Sequence, residues 1–386
     1  MLVFSDNAWH IFAGFLVFLA GCTIAFVQKK VFGVPIKRAV ALYIWHSFFC
    51  IFYFWYSLND AADSTRYYLT SLDYEAGFGF GTYGIFFIVS FLSQGLNFSY
   101  GNAFLVFNIL GYIGLLSFAS ALKTVTAGGN RNIQIFSVLF LYLPGLSFWS
   151  SAIGKDALTF MAAGLVTWAA LNIGRRIPAI VLGGGLFLLA RPHIAGIFLI
   201  SICLALLVSS KLGSVKKILL LAIIVPLSVV GTQFGLSYAG LGDASELSDI
   251  NDYFEARQGH NLDGGSSVDI AGMSVPLRLF TYVFRPLLFE ANGILGLVVS
   301  IENLALLLLV LVAFFRKKGT RSNLSRFTVM FYFIFIMISW FVLANTTANL
   351  GIAIRQKSMF LPMLVVLLFS MWRGKPNSSS YRELKT

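Results

Sequence analysis

Apolar runs of about 20 residues recur along this chain, separated by short polar breaks, and they restrict its fold more than any other feature. The run GILGLVVSIENLALLLLVLVAFF at 293–315 is one, with Glu302 as its only ionisable residue. In hydrocarbon there is no water to satisfy backbone N–H and C=O groups, so only helices and closed barrels can span it. A barrel would alternate apolar and polar residues with a period of two, and these runs do not. Of the residues 58% are hydrophobic and 11% charged, against the roughly 25% charged of a soluble domain. The expected fold is therefore all-α, a polytopic transmembrane helix bundle.

Reading each run as a span predicts helices near 8–27, 38–57, 101–122, 132–149, 156–173, 177–190, 194–210, 218–235, 293–315, 327–346 and 358–372, about 11 with a range of 10–13. The run TYGIFFIVSFLSQGL at 82–96 is short for a crossing and is expected as a re-entrant or interfacial hairpin within a first outer loop, 58–100. A second, large outer loop is expected at 236–292, with 1–386 forming a single membrane domain. The opening MLVFSDNAWH has no Lys or Arg before its apolar run, so the first helix is expected to be retained rather than cleaved. The three cysteines, Cys22, Cys50 and Cys203, each lie inside an apolar run, which argues against a disulfide framework or a thiolate metal site.

The net charge of +12 would suit nucleic acid if it were gathered in one patch, but it partitions by side of the membrane. With the N-terminus outside and the C-terminus cytoplasmic, loops on one side hold 20 of the 28 basic residues, among them Lys29, Lys30, Arg175, Arg176, Lys216, Lys217 and Arg316 to Lys318. That is the bias of cytoplasmic loops. The other side keeps nearly all the acids and both long polar segments. No Walker loop or Rossmann glycine run occurs, so no nucleotide cofactor is expected, and chemistry is expected to face away from ATP.

Candidate site residues lie on that outer side. SLNDAADSTRYY at 57–68 offers Asp60 and Asp63 as general bases with Arg66 beside them, or else a solvated loop in which Asp63 and Arg66 pair as i,i+3 neighbours. In FWSSAIGKDAL, 148–158, Asp156 suits a cap on the next helix, whereas Lys155 opposes the helix dipole and is expected to hold an anion near the free amides. Arg191 and His193 sit in the tight ARPHIAG turn, with Arg191 either snorkelling to headgroups or lining a wet cavity. MSVPLRLFTYVFRPLLFEANG carries Arg278, Arg285 and Glu290 among apolar residues, as an interfacial helix would. Glu302 lies inside a span, and Arg355 and Lys357 flank Gln356 in NLGIAIRQK, a pairing suited to pyrophosphate.

Together, NDAADSTRYY, FWSSAIGKDAL, ARPHIAG, FRPLLFE and NLGIAIRQK resemble the membrane proteins of bacterial surface-polysaccharide clusters. The likeness is to O-antigen and capsule polymerases of the Wzy type and, more broadly, to integral-membrane glycosyltransferases of the GT-C superfamily. It implies an inverting transfer outside the cytoplasmic (inner) membrane between polyprenyl-diphosphate-linked glycans. Membrane lipid, a chain-length regulator and a flippase would be partners. Asp63, Asp60 or Glu302 would serve as catalytic carboxylates. Arg66, Lys155, Arg191, His193, Arg278, Arg285, Arg355 and Lys357 would bind diphosphate or glycan. No metal is expected; the acids at 243–255 read better as a solvated lid. A transporter or flippase for lipid-linked glycans is the alternative, since it too needs a basic cavity.

Overall fold

The computed structural model describes residues 2–60, 62–209, 267–270, 272–315 and 324–371, with isolated positions between 215 and 229. Among the described residues every regular element is a helix, and the one pairing of extended backbone is an isolated bridge between Ser267 and Asn349. The helices are α1 (Ala8–Val27), α2 (Ile36–Asn59), α3 (Asp63–Ser71), α4 (Thr82–Ser90), α5 (Tyr100–Thr126), α6 (Arg131–Leu139), α7 (Pro144–Ser150), α8 (Lys155–Ala170), α9 (Ile177–Ala190) and α10 (Pro192–Ser209). Next come α11 (Val275–Phe284), α12 (Gly293–Phe315), α13 (Arg326–Thr346), α14 (Leu350–Gln356) and α15 (Leu361–Met371). The expected span at 218–235 and the acidic lid fall outside the described residues.

Local chemistry sets many of the ends. Asn7 accepts from the His10 N–H at the start of α1, Ser325 from the Thr328 N–H at the start of α13, and Asn349 from the Ile352 N–H at the start of α14. Each side chain satisfies a donor that the first helical turn leaves unpaired. Pro144 opens α7 after a 3-10 turn at Phe140–Tyr142, because its ring fits the first helical position but not the interior. The run at 82–96 folds as α4 followed by a π-turn, Phe91–Gly95.

Among the described residues seven helical stretches are long and apolar enough to cross a membrane: Ala8–Lys30, Ile36–Asn59, Tyr100–Thr126, Arg131–Ser150, Pro192–Ser209, Gly293–Phe315 and Arg326–Thr346. An eighth would be the pair Leu350–Met359 and Leu361–Met371, bent by 64° at its break. This is the build of a multi-pass membrane protein. The count stands below the eleven expected because the run at 218–235 lies outside the described residues, the run at 358–372 falls in that bent pair, and α8 and α9 have only 16 and 14 residues. At about 1.5 Å per residue neither reaches the roughly 30 Å of a hydrocarbon core.

The chain divides into two compact units, Met1–Thr124 with Ser137–Arg191, and Val125–Phe136 with Pro192–Thr386. In the first, an aromatic core joins Tyr53 of α2, Tyr67 of α3, Phe86 of α4, Phe104 of α5, Phe148 of α7 and Leu158 of α8. Helices α5 and α8 approach closely where Gly114 meets Gly164: a Cβ on Gly164 would stand 2.3 Å from the Gly114 carbonyl oxygen. Small residues permit such backbone contact where lipid gives helices little hydrophobic reason to associate. In the second unit α10 packs along α13, and α11 also lies against α13.

Candidate functional site

In the first unit the FWSSAIGKDAL turn and the end of α9 form one structure. Helices α8 and α9 pack together as a hairpin, so the start of one and the end of the other share an end. Asp156 lies in the first turn of α8 and Arg191 caps α9. Each charge has the sign that the dipole of its own helix favours. Arg191 Nη2 donates to Asp156 Oδ1 at 2.9 Å, with side chains only 14% and 7% exposed. Arg191 Nε is buried and has no partner among the described residues. The sequence suggests Asp156 as a cap for α8. Gly154 holds the cap position instead, and Asp156 bonds a residue 35 positions away. Lys155 is half-buried beside it.

The first outer-loop candidate packs against this turn. Tyr67 of α3 stands 3.4 Å from where a Gly154 Cβ would lie, and it shares the aromatic core with Ile153, Ala157 and Ala190. Tyr100 OH donates to Ser57 at 2.9 Å or to Ser64 at 3.0 Å, tying the start of α3 to the end of α2. Asp60, Asp63 and Arg66 project from this anchored segment and are exposed. The backbone N–H of Gly81 donates to the Leu189 carbonyl at 2.7 Å, stitching the preceding loop to the same end of α9. Asp60, Asp63, Arg66, Lys155 and Arg191 therefore belong to one unit.

The second unit gathers the other candidates. Arg285 grips Glu290 through Nη2 at 2.6 Å and Nε at 2.8 Å, and Glu290 also accepts from the Leu287 N–H at 2.8 Å. The Arg285 hydrogen bond holds the Glu290 carboxyl below its ordinary range, partial burial opposes that, and the Leu287 N–H reinforces it. Helix α12 secures this turn: Asn303 donates to the Pro286 carbonyl at 3.2 Å and Ser300 to that of Leu287 at 3.1 Å. The other end of the Asn303 amide accepts from the buried Lys357 ammonium, on which the charge of buried Glu302 also acts. Gln356 accepts from Tyr282 OH at 3.4 Å and Thr347 at 2.9 Å. Arg278 reaches Asn345 at 3.1 Å and the Met273 carbonyl at 3.0 Å. Arg355 is half-buried in the last turn of α14, and His193 stands at the start of α10.

The basic residues expected together on one face thus form two sets, Lys155 and Arg191 in one unit, Arg285, Arg355 and Lys357 in the other. The functional partners that sequence reasoning missed are Asp156 for Arg191, Glu290 for Arg285 and Asn303 for Lys357. Only the second had a local signal: the Pro after Arg285 bars a helix there, which lets a carboxylate five residues on fold back. Among the described residues no three His, Cys, Asp or Glu side chains gather as a metal site. Comparison with family models, curated proteins and solved structures gives no match to this chain.

Proposed function

We propose that this protein is an integral-membrane glycosyltransferase that joins polyprenyl-diphosphate-linked oligosaccharide units on the outer face of the bacterial cytoplasmic membrane, as a surface-polysaccharide polymerase. The observation that carries the reading is the gathering of charge within otherwise apolar units: Asp63, Arg66, Lys155 and the Asp156–Arg191 pair near helix ends in one, Arg285 and Lys357 at helix ends with Glu302 inside α12 in the other. Polymerisation uses two lipid-linked substrates, each with a diphosphate, and each cluster supplies cations for one such group.

In this reading Asp63, with Asp60 as its alternate, takes the proton of the attacking sugar hydroxyl. The new bond forms at the anomeric carbon as the bond to the diphosphate oxygen breaks, with inversion. Lys155 and Arg66 meet the negative charge that develops on the departing group. The orientation, N-terminus outside and C-terminus cytoplasmic, follows from the segregation of Lys and Arg. About eleven crossings would require α8 and α9 to sit where the bilayer thins.

The test is the length distribution of surface glycan in the native host, with the gene deleted and then restored as wild type, Arg66→Ala or Arg285→Ala. Single repeat units at the surface without long chains are expected for the deletion and for Arg66→Ala. Burial of Lys357 and Glu302 among packed helices favours a second reading, transport of lipid-linked glycan. Absence of every repeat from the surface, with lipid-linked units accumulating inside, would replace the polymerase by the transporter.

A further inference from the structure

Where α2, α5 and α7 cross in the first unit, buried polar atoms meet that have no partner among the described residues. His46 is fully buried, and neither ring nitrogen has a hydrogen-bond partner among the described residues. Asn108, equally buried, donates to Ser47 Oγ at 3.0 Å, but its Oδ1 accepts nothing from the described residues. The Ser147 hydroxyl, also fully buried, is likewise unpartnered. These groups belong to one crossing. One turn after Asn108, a Cβ on Gly111 would stand 2.7 Å from His46 Nε2 and 2.0 Å from the Ser150 carbonyl oxygen, and Ser150 lies one turn after Ser147.

A buried imidazole, amide oxygen and hydroxyl each cost free energy if they stay dry, and native interiors pair such groups with protein or ordered water. Water suits this site because it both donates and accepts: it can give hydrogen bonds to Asn108 Oδ1 and to an imidazole nitrogen while accepting from the Ser147 hydroxyl. A cation suits it less, since the imidazole contributes no negative charge and none of the unpartnered groups gathered there is a carboxylate. We infer that the α2–α5–α7 crossing is a hydration site inside the membrane unit, with His46, Asn108 and Ser147 as its ligands. The site lies beside the Ser150 carbonyl, five residues before Lys155, so the bound water supports the end of α7 from which the Lys155–Asp156 turn leaves. This inference is independent of the proposed transferase activity.

Water-edited solid-state NMR on the full chain in lipid bilayers, labelled with 15N-histidine, tests it. The expected result is rapid transfer of water magnetisation to the His46 ring nitrogens, identified by their loss in His46→Phe. Should that variant fail to fold, replacing His10, His193 and His260 by Gln leaves His46 as the single label. A His46 signal that receives no transfer while other histidines do overturns the proposal. Ser147→Ala reads the same point through stability: loss of a water ligand lowers the unfolding midpoint by a few degrees, whereas an unchanged or raised midpoint means that a dry hydroxyl was removed.

Discussion

The two Arg–carboxylate pairs of this protein differ in how they are made. Arg191 and Asp156 come from the two arms of a helix hairpin, 35 residues apart, and meet through an Nη2–Oδ1 contact that is nearly sealed from solvent. Arg285 and Glu290 are five residues apart, bonded through two guanidinium nitrogens, with side chains 26% and 22% exposed. The first pair is a tertiary event: it exists only if α8 and α9 dock, and its charges have lost most of their water. The second is a turn motif that solvent still reaches. Desolvation makes a buried pair costly to break from one side, whereas a pair that water still reaches contributes less beyond its geometry.

That contrast can be broken most sharply by Asp156→Ala, which strands Arg191 in a buried site. An unfolding free energy lower by about 3–5 kcal/mol is expected in detergent or bicelles. The double variant Asp156→Leu, Arg191→Met should recover most of it, and if the double is as unstable as the single, the charge account of this pair fails. Glu290→Ala removes a partner that solvent still reaches and should cost only about 1 kcal/mol; a loss as large as that of Asp156→Ala would erase the distinction. Arg66→Ala touches neither pair, so its stability should stay within about 0.5 kcal/mol of wild type, while long surface glycan disappears. Its role in binding is refuted if the glycan ladder is unchanged.

The smallest effect is a titration. Glu290 has a folded carboxyl depressed by Arg285, so its contribution to stability is fully present above the ordinary carboxylate range, near about 4.3, and is lost as pH falls through the lower folded value. A 13C chemical-shift titration of Glu290 should give a midpoint below that range. A midpoint at or above it would mean that the clamp does not persist in the membrane-bound protein.

Much of the helical frame could be read without coordinates. The run at 293–315 became Gly293–Phe315, the run at 327–346 became Arg326–Thr346 and the run at 38–57 became Ile36–Asn59. The segment MSVPLRLFTYVFRPLLFEANG, expected as a helix, produced α11 and the turn after it. The site was only half legible. That Arg191 would need headgroups or a wet cavity followed from placing its charge in apolar sequence. Which partners Arg191, Arg285 and Lys357 would find did not follow: Asn303 lies 54 residues before Lys357, and nothing in the pattern between them joins the two.

The sequence by itself determined that this protein is helical and built to cross a membrane, because in apolar surroundings each backbone N–H must bond a carbonyl four residues back, and that requirement is written in the length of every apolar run. Tertiary structure decided where the charges rest. A side chain confined between packed helices takes the partner that docking brings within about 3 Å, and docking here depends on contacts such as Gly114 on Gly164 and Tyr67 beside Gly154, between residues far apart in the chain.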